Sequence, residues 1–311
     1  MRVTGTMFSE RLVGQLARIS TRQGRLQEQA ATGQRIRRPE DDPGAVRRVL
    51  DLQAEARAVG QHRANLAVLK EQATVSYTAM IALKRISDRA GEISVLADGT
   101  KSPADLRNYA NEVTQLIKQA AQLANTKHRG GYVFAGTKSD QPAFAVGTNS
   151  SGQVTAVTYQ GNASVAEAEV AEGMTMSPQV VGASLGGSGP RGLFTDSATG
   201  ADFFGHLVSL QDHLQAGDAA SVNRTDLPAL QHDEDNILFH IARNGAVSAR
   251  LEATDNLAAS RLGSTETLIS GETDADLAQT LVQLSATQNA YQAALQTGGK
   301  ILNQSLLDYL R

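Results

Sequence analysis

The 311 residues of this chain include no cysteine, no tryptophan and only seven prolines. Without cysteine, neither a disulfide framework nor a thiolate metal site is possible. Aromatic residues make up 4% of the chain against a hydrophobic content of 41%. Alanine, leucine, glutamine and threonine fill the apolar and neutral positions, a balance that favours long packed helices over one large globular core. No apolar run approaches the ~20 residues needed to cross a bilayer, so no membrane insertion is expected. Residues 1–30 also lack the continuous apolar stretch of a cleaved signal peptide. The expected location is therefore the cytosol, or the outside by a route without signal cleavage. The length allows two or three domains, or one elongated body.

Charge is divided between the two ends. Met1–Arg63 holds twelve arginines, no lysine and seven carboxylates, a net of +5. Gly200–Arg311 holds six basic and fourteen acidic residues, a net of -8. The arginines are dispersed along a helical pattern rather than clustered with aromatics. This favours pairing with the chain's own acidic end over binding of nucleic acid.

Leu12, Leu16, Ile19, Gln23, Leu26, Ala30 and Gly33 follow a 4-3 spacing, the seam of a helix in coiled-coil-like packing. A polar break follows, Thr32-Gly-Gln-Arg-Ile-Arg-Arg-Pro-Glu-Asp-Asp-Pro-Gly-Ala45. Beyond it, Ala45 to Ala97 contains no proline. Val49, Leu52, Ala56, Val59, Leu66, Leu69, Ala73, Met80, Leu83 and Ile86 recur at helical spacing. One helix of that length would reach roughly 75 Å. Ser102-Pro103-Ala104-Asp105 predicts an N-cap, a proline in the first turn and an acid near the N-terminus. It opens a helix to about Thr126, with Leu106, Val113, Leu116, Ile117 and Leu123 inward.

From Gly130 the texture changes. Gly131–Ala135, Val154–Tyr159, Ser164–Val170 and Met174–Val181 are rich in β-branched or aromatic residues and predict short strands. Leu185–Gly200 is rich in Gly and Ser and predicts a loop. Helices return over Asp202–Gln215 and Leu227 to about Leu262. A last one follows Gly271, where Leu277, Leu281, Leu284, Gln288, Tyr291, Leu295, Gly298, Leu302, Ser305 and Tyr309 repeat the 4-3 spacing. Matching seams on oppositely charged ends predict that the termini pack on each other or on further copies.

No motif carries a reaction, and no catalytic, cofactor-binding or metal-ligating residue is assigned. Gly182-Ala-Ser184-Leu-Gly186 matches a nucleophile elbow, but the glycines and proline after it cannot start the helix that the elbow requires. Gly187-Ser-Gly-Pro-Arg-Gly192 matches a dinucleotide fingerprint but opens no helix either. His206 and His213 are seven apart, and His232 and His240 flank Asp233-Glu234-Asp235. Neither spacing is the i, i+3 or i+4 of ligands on one helix face. These histidines are expected on a solvated or half-buried face.

Two helical ends around a central insertion, with the segment Thr32–Pro43 between the first two helices, resemble the bacterial flagellin superfamily. Ala124–Thr126, Gly131–Thr137, Ser139–Phe144, Tyr159–Asn162 and the ending Ser305–Leu310 resemble the branch that joins the flagellar hook to its filament more than flagellin itself. The resemblance spans residues 5–175 and 250–311. Leu185–Gly200 falls outside it, and Gly298-Gly299 departs from the helix formers expected there.

The resemblance implies a mainly α fold with a small β insertion, the long helices forming an elongated coiled-coil or bundle rod. It implies an inner-tube part (1–42 plus 270–311), a rod part (43–129 plus 202–269) and a β-rich outer part (130–201). It implies a structural adaptor that leaves through the flagellar export apparatus with an export chaperone. That adaptor sits on the preceding hook-associated protein in a ring of copies and seeds flagellin polymerisation. A flagellin-type filament subunit is the alternative. Axial packing would fall to Leu12, Leu16, Ile19, Leu26, Leu277, Leu281, Leu284, Leu295, Leu302 and Leu306. The spoke between inner tube and rod would contain Arg35, Ile36, Pro39, Asp41, Asp42 and Pro43.

Overall fold

The computed structural model describes residues 5–187 and 189–309, with side chains described over 10–187 and 189–300. Among the described residues the chain is mainly helical, with its strands confined to residues 127–202. It divides into two compact units. One contains Met1–Ala58 and Arg261–Arg311, the other Val59–Ser260.

In the terminal unit, α1 (Gly5–Thr32) ends where Gly33 takes φ 72°, a left-handed conformation that glycine adopts without steric cost. After the polar break, α2 (Pro43–Leu96) begins with proline at its first position, where no backbone N–H is needed. The Asp42 carboxylate caps it, accepting from the Ala45 amide at 3.0 Å. The C-terminal part of the unit is the end of α6 (Leu227–Thr273) followed by α7 (Leu277–Tyr309). Asp276 caps α7 through the Gln279 amide at 3.0 Å. Helix α6 runs well past the expected end near Leu262, because Gly263 and Gly271 are tolerated inside it.

In the central unit, α3 (Pro103–Ala124) carries the expected cap. Ser102 Oγ accepts from the Asp105 amide, and Pro103 occupies the first turn. All ten apolar positions assigned to the inward face of α2 are buried or half-buried, as are the five assigned to α3.

Three two-stranded antiparallel hairpins follow. They are β1 (Lys127–His128) with β2 (Gly131–Tyr132), β3 (Phe144–Thr148) with β4 (Val154–Tyr159), and β5 (Ala168–Ala171) with β6 (Met174–Met176). A small sheet then sets β7 (Ala183–Ser184) parallel to β8 (Thr195–Asp196), which runs antiparallel to β9 (Ala201–Asp202). Only β4 keeps the expected limits. The expected strand over Gly131–Ala135 stops at Tyr132, after which Val133, Phe134 and Ala135 turn into the core. Strand β3 lies in a stretch with no expected element.

The largest correction concerns the expected loop Leu185–Gly200. It contains β8, and its Leu193 and Phe194 are fully buried. Phe194 stacks on Phe204 at 5.1 Å and meets Phe144 edge-on at 4.9 Å and Phe134 at 5.8 Å. Over half of the chain's seven phenylalanines therefore meet at one point. Helix α4 (Phe203–Ala216) covers this cluster. A short α5 (Ala219–Ser221) and a π-helical turn (Val222–Asp226) lead into α6. Buried Gln211 of α4 links three elements, accepting from Thr114 Oγ1 at 2.8 Å and donating to the Val154 carbonyl at 3.0 Å. Among the described residues no helix is long and apolar enough to cross a membrane.

Candidate assembly site

Helices α1 and α7 pack along each other. The α1 face turned inward is the one the spacing marks: Leu12, Leu16, Ile19 and Gln23 are half-buried and Leu26 is buried. The α7 face is different. Its least exposed positions are Thr280, Leu284, Thr287, Tyr291, Ala294 and Gly298, again spaced 4-3. Leu277 and Leu295 stand about 60° round the helix from that face and Leu281 about 100°, and Leu277, Leu281 and Leu295 are 48%, 53% and 48% exposed. Helix α7 thus carries two adjoining stripes. Small residues face α1, and leucines face outward. The side chains of Leu302 and Leu306 lie outside the described residues.

Gly298 has a packing reason. A Cβ built there would overlap a Leu12 methyl, whereas a Cβ on Gly299 meets nothing within 4 Å. The glycine pair that departs from helix formers is therefore two different positions. Gly299→Ala should stabilise the chain by about 1 kcal/mol through helix propensity. Gly298→Leu should overpack against Leu12 and cost about 1–3 kcal/mol. Chemical denaturation of the two variants checks the opposite signs.

The polar break is where two chain segments cross. Gln34 forms an antiparallel bridge with Asp274. The Arg35 amide donates to the Thr273 carbonyl, and the Ala275 amide to the Gly33 carbonyl, both at 2.7 Å. Arg35 Nη2 also donates to the Glu272 carbonyl at 2.7 Å, and Nη1 reaches Asp42 at 3.4 Å. Arg48 forks onto the Glu272 carboxylate at 2.8 and 2.9 Å. Arg37 pairs with Glu28, and Arg38 with Glu40 at 3.4 Å. Ile36 is half-buried, whereas Pro39 is exposed. Within one chain, then, every arginine of the break has an acid of its own chain.

Asp41 folds the break on itself by accepting from the Arg37 and Arg38 amides at 3.2 and 3.0 Å. Those two amides, Arg38's first, hold its carboxyl below the ordinary range. The Ala45 amide, with Arg35, does the same for Asp42, and Arg48 for Glu272. Carboxyls depressed in the fold contribute fully above their unfolded values. That contribution is lost as pH falls through the folded ones. The Arg37 and Arg38 amide resonances should therefore titrate with a midpoint below 3.8, the usual carboxylate value. A midpoint at or above it would contradict this capping role.

A family profile described as the bacterial flagellin N-terminal helical region matches residues 9–139, from the α1 seam through the break and α2 to the first hairpin. Hook-associated protein 3 of Salmonella typhimurium is 24% identical over 330 aligned residues, covering 100% of both chains. The chain is thus similar to bacterial flagellins in its N-terminal helical region and, along its length, to two proteins named hook-associated protein 3. Hook-associated protein 3 of Escherichia coli aligns with this chain at 26% identity, over 89% of it and 90% of the relative. A putative flagellar hook-associated protein from Vibrio parahaemolyticus shares the fold with a TM-score of 0.64 at 21% identity, covering 75% of this chain and all of that one. FlgL from Xanthomonas campestris does so at 0.54 and 16%, over 70% and 98%. Both curated relatives are named as flagellar proteins, and the two solved structures share the fold.

The polar residues singled out in the central unit are placed as follows. Ser184 lies on β7, nearly fully buried and with no helix after it. His206 and His213 are half-buried and His232 is exposed, as expected, but His240 departs from the expectation. His240 is fully buried and donates to the Gly192 carbonyl across 3.1 Å, and burial pushes its pKa down to about 4. His206 and His213 pair through Nδ1, both at 2.7 Å, with the buried carboxylates Asp233 and Asp226. The Asp233 carboxylate holds the His206 proton above the ordinary histidine range. The spacing along α4 hid these pairs because their partners come from the π-helical turn and α6.

Proposed function

We propose that this chain is the adaptor at the hook–filament junction. Copies of it seat as a ring on the preceding hook-associated protein and present a surface on which flagellin polymerises. Two relatives aligned over nearly their whole length bear the name hook-associated protein 3. The observation that carries the reading is the outward leucine stripe of α7, beside the face that α7 already uses for α1. A solvated helix with one packed face has no need of Leu277, Leu281 and Leu295 in register on the next. A neighbouring copy that buries them gives them a use.

On this reading the terminal helices, 1–42 with 270–311, form the inner tube. Residues 43–129 with 202–269 form the rod, and 130–201 face outward. Arg35, Asp41 and Asp42 stiffen the spoke by bonds within one chain, and the leucines make the bonds between chains. Export through the flagellar apparatus, without signal cleavage and with a chaperone on the C-terminal helices, belongs to the same reading.

The test is the addition of purified protein to isolated hooks that carry the preceding hook-associated protein. Binding that saturates at a fixed number of copies per hook, followed by filament growth when flagellin is added, is expected. Growth of the purified protein alone into long fibres would instead mark a filament subunit.

A further inference from the structure

Helix α1 carries a second pattern that its packing against α7 does not use. Arg11, Arg18, Arg22 and Arg25 are all exposed and lie on one face, about a quarter turn from the packed one. The ion pairs of the terminal unit engage Arg25, Arg35, Arg37, Arg38, Arg48 and Arg261. Arg25 reaches Asp41 only at 3.9 Å, and Arg11, Arg18 and Arg22 form no such pair among the described residues. An open cleft of about 600 Å³ runs beside Arg18, Arg22 and Arg25, floored by Leu26 and Gln283. On the same unit, the corner between α6 and α7 is acidic. Glu266, Asp274 and Asp276 are exposed there and have no cationic partner among the described residues. Among the described residues the Asp274 carboxylate is engaged by the Ser270 and Thr273 hydroxyls, and that of Asp276 caps α7.

These two surfaces cannot meet within one chain. The Gln34–Asp274 bridge and the Ala275–Gly33 hydrogen bond fix the acidic corner level with the end of α1. The centre of the arginine stripe lies some fifteen residues back, about 23 Å along the helix. We propose that the arginine stripe of one copy receives the acidic α6–α7 corner of a second copy displaced by about that distance along α1. The inference rests on the assembly reading above and assigns its lateral contact. The two patches differ, so the contact is head-to-tail, the kind that builds rings or helical arrays rather than a closed pair. Opposite charges give it register and salt sensitivity, while the leucines supply burial.

The absence of cysteine permits a direct test. The full chain carrying R22C and D276C replaces the natural copy in the bacterium, and a short thiol crosslinker is applied to sheared flagella. A ladder of dimers and larger species is expected. A second variant, R18E/R22E, should lower the amount of the chain in the flagellar fraction at least about tenfold, and D274K/D276K in the same chain should restore it. If the wild-type chain is present on flagella, crosslinks stay absent and the double reversal restores nothing, the contact is wrong and the assembly reading stands. If the wild-type chain is itself absent from flagella, the assembly reading fails and this contact with it.

Discussion

Replacing Leu277, Leu281 and Leu295 together with glutamine leaves the isolated chain as stable as before and removes it from the flagellum. Each leucine is about half exposed in the single chain, so roughly half of its burial is still available to a neighbour. Complete burial of a leucine is worth about 1.5–3 kcal/mol. Three half-burials therefore supply on the order of 3 kcal/mol per interface, about a hundredfold in affinity. Glutamine is a good helix former, and these positions do not face α1. Unfolding free energy should thus stay within about 0.5 kcal/mol of wild type. Denaturant melts of the purified chain and quantification of the chain in sheared flagella check the two halves. Substantial destabilisation of the monomer would mean the stripe is already buried against its own chain. Undiminished incorporation would remove its role between copies.

Phe194→Ala should lower the stability of the central unit by about 3–5 kcal/mol, the cost of removing a buried phenylalanine. The ring contacts Phe134, Phe144 and Phe204, which come from the turn after β2, from β3 and from α4. Its loss opens a cavity where three elements converge. For a unit of this size the thermal midpoint should fall by on the order of 10 °C. Leu185→Ala is the control. Leu185 is 70% exposed in the same segment and should change stability by less than about 0.5 kcal/mol. Equal effects of the two substitutions would return the segment to the plain loop its composition suggests.

That contrast shows where the sequence was legible. Long periodic segments gave α2 and its inward face, because a single burial stripe repeated over many turns outweighs any local exception. The cap at Ser102 and the first-turn proline at Pro103 were legible because backbone chemistry leaves few alternatives there. Leu193 and Phe194 were hidden by the glycines and serines around them, which dominate a composition window while two residues make the core contact. The inward face of α7 was hidden for another reason. Leucines mark hydrophobic seams, but the face against α1 is built of Thr280, Thr287, Ala294 and Gly298, small residues that let the helices approach. One heptad pattern was visible where two adjoining stripes share Leu284 and Tyr291. The pairing of His206 with Asp233 was illegible because it joins residues 27 positions apart across two helices. In the break, sequence indicated a helix stop and start. Only the structure shows Arg35 and Asp41 tying that break to its own chain, Arg35 to the C-terminal crossing at Thr273 and Asp41 to the Arg37 and Arg38 amides.

The junction role itself is tested most directly by immunogold electron microscopy of intact detached flagella, with antibody raised against the β-rich residues 130–201. One narrow band of gold at the boundary between hook and filament is the predicted result. Gold distributed along the whole filament would contradict it and make this chain a filament subunit.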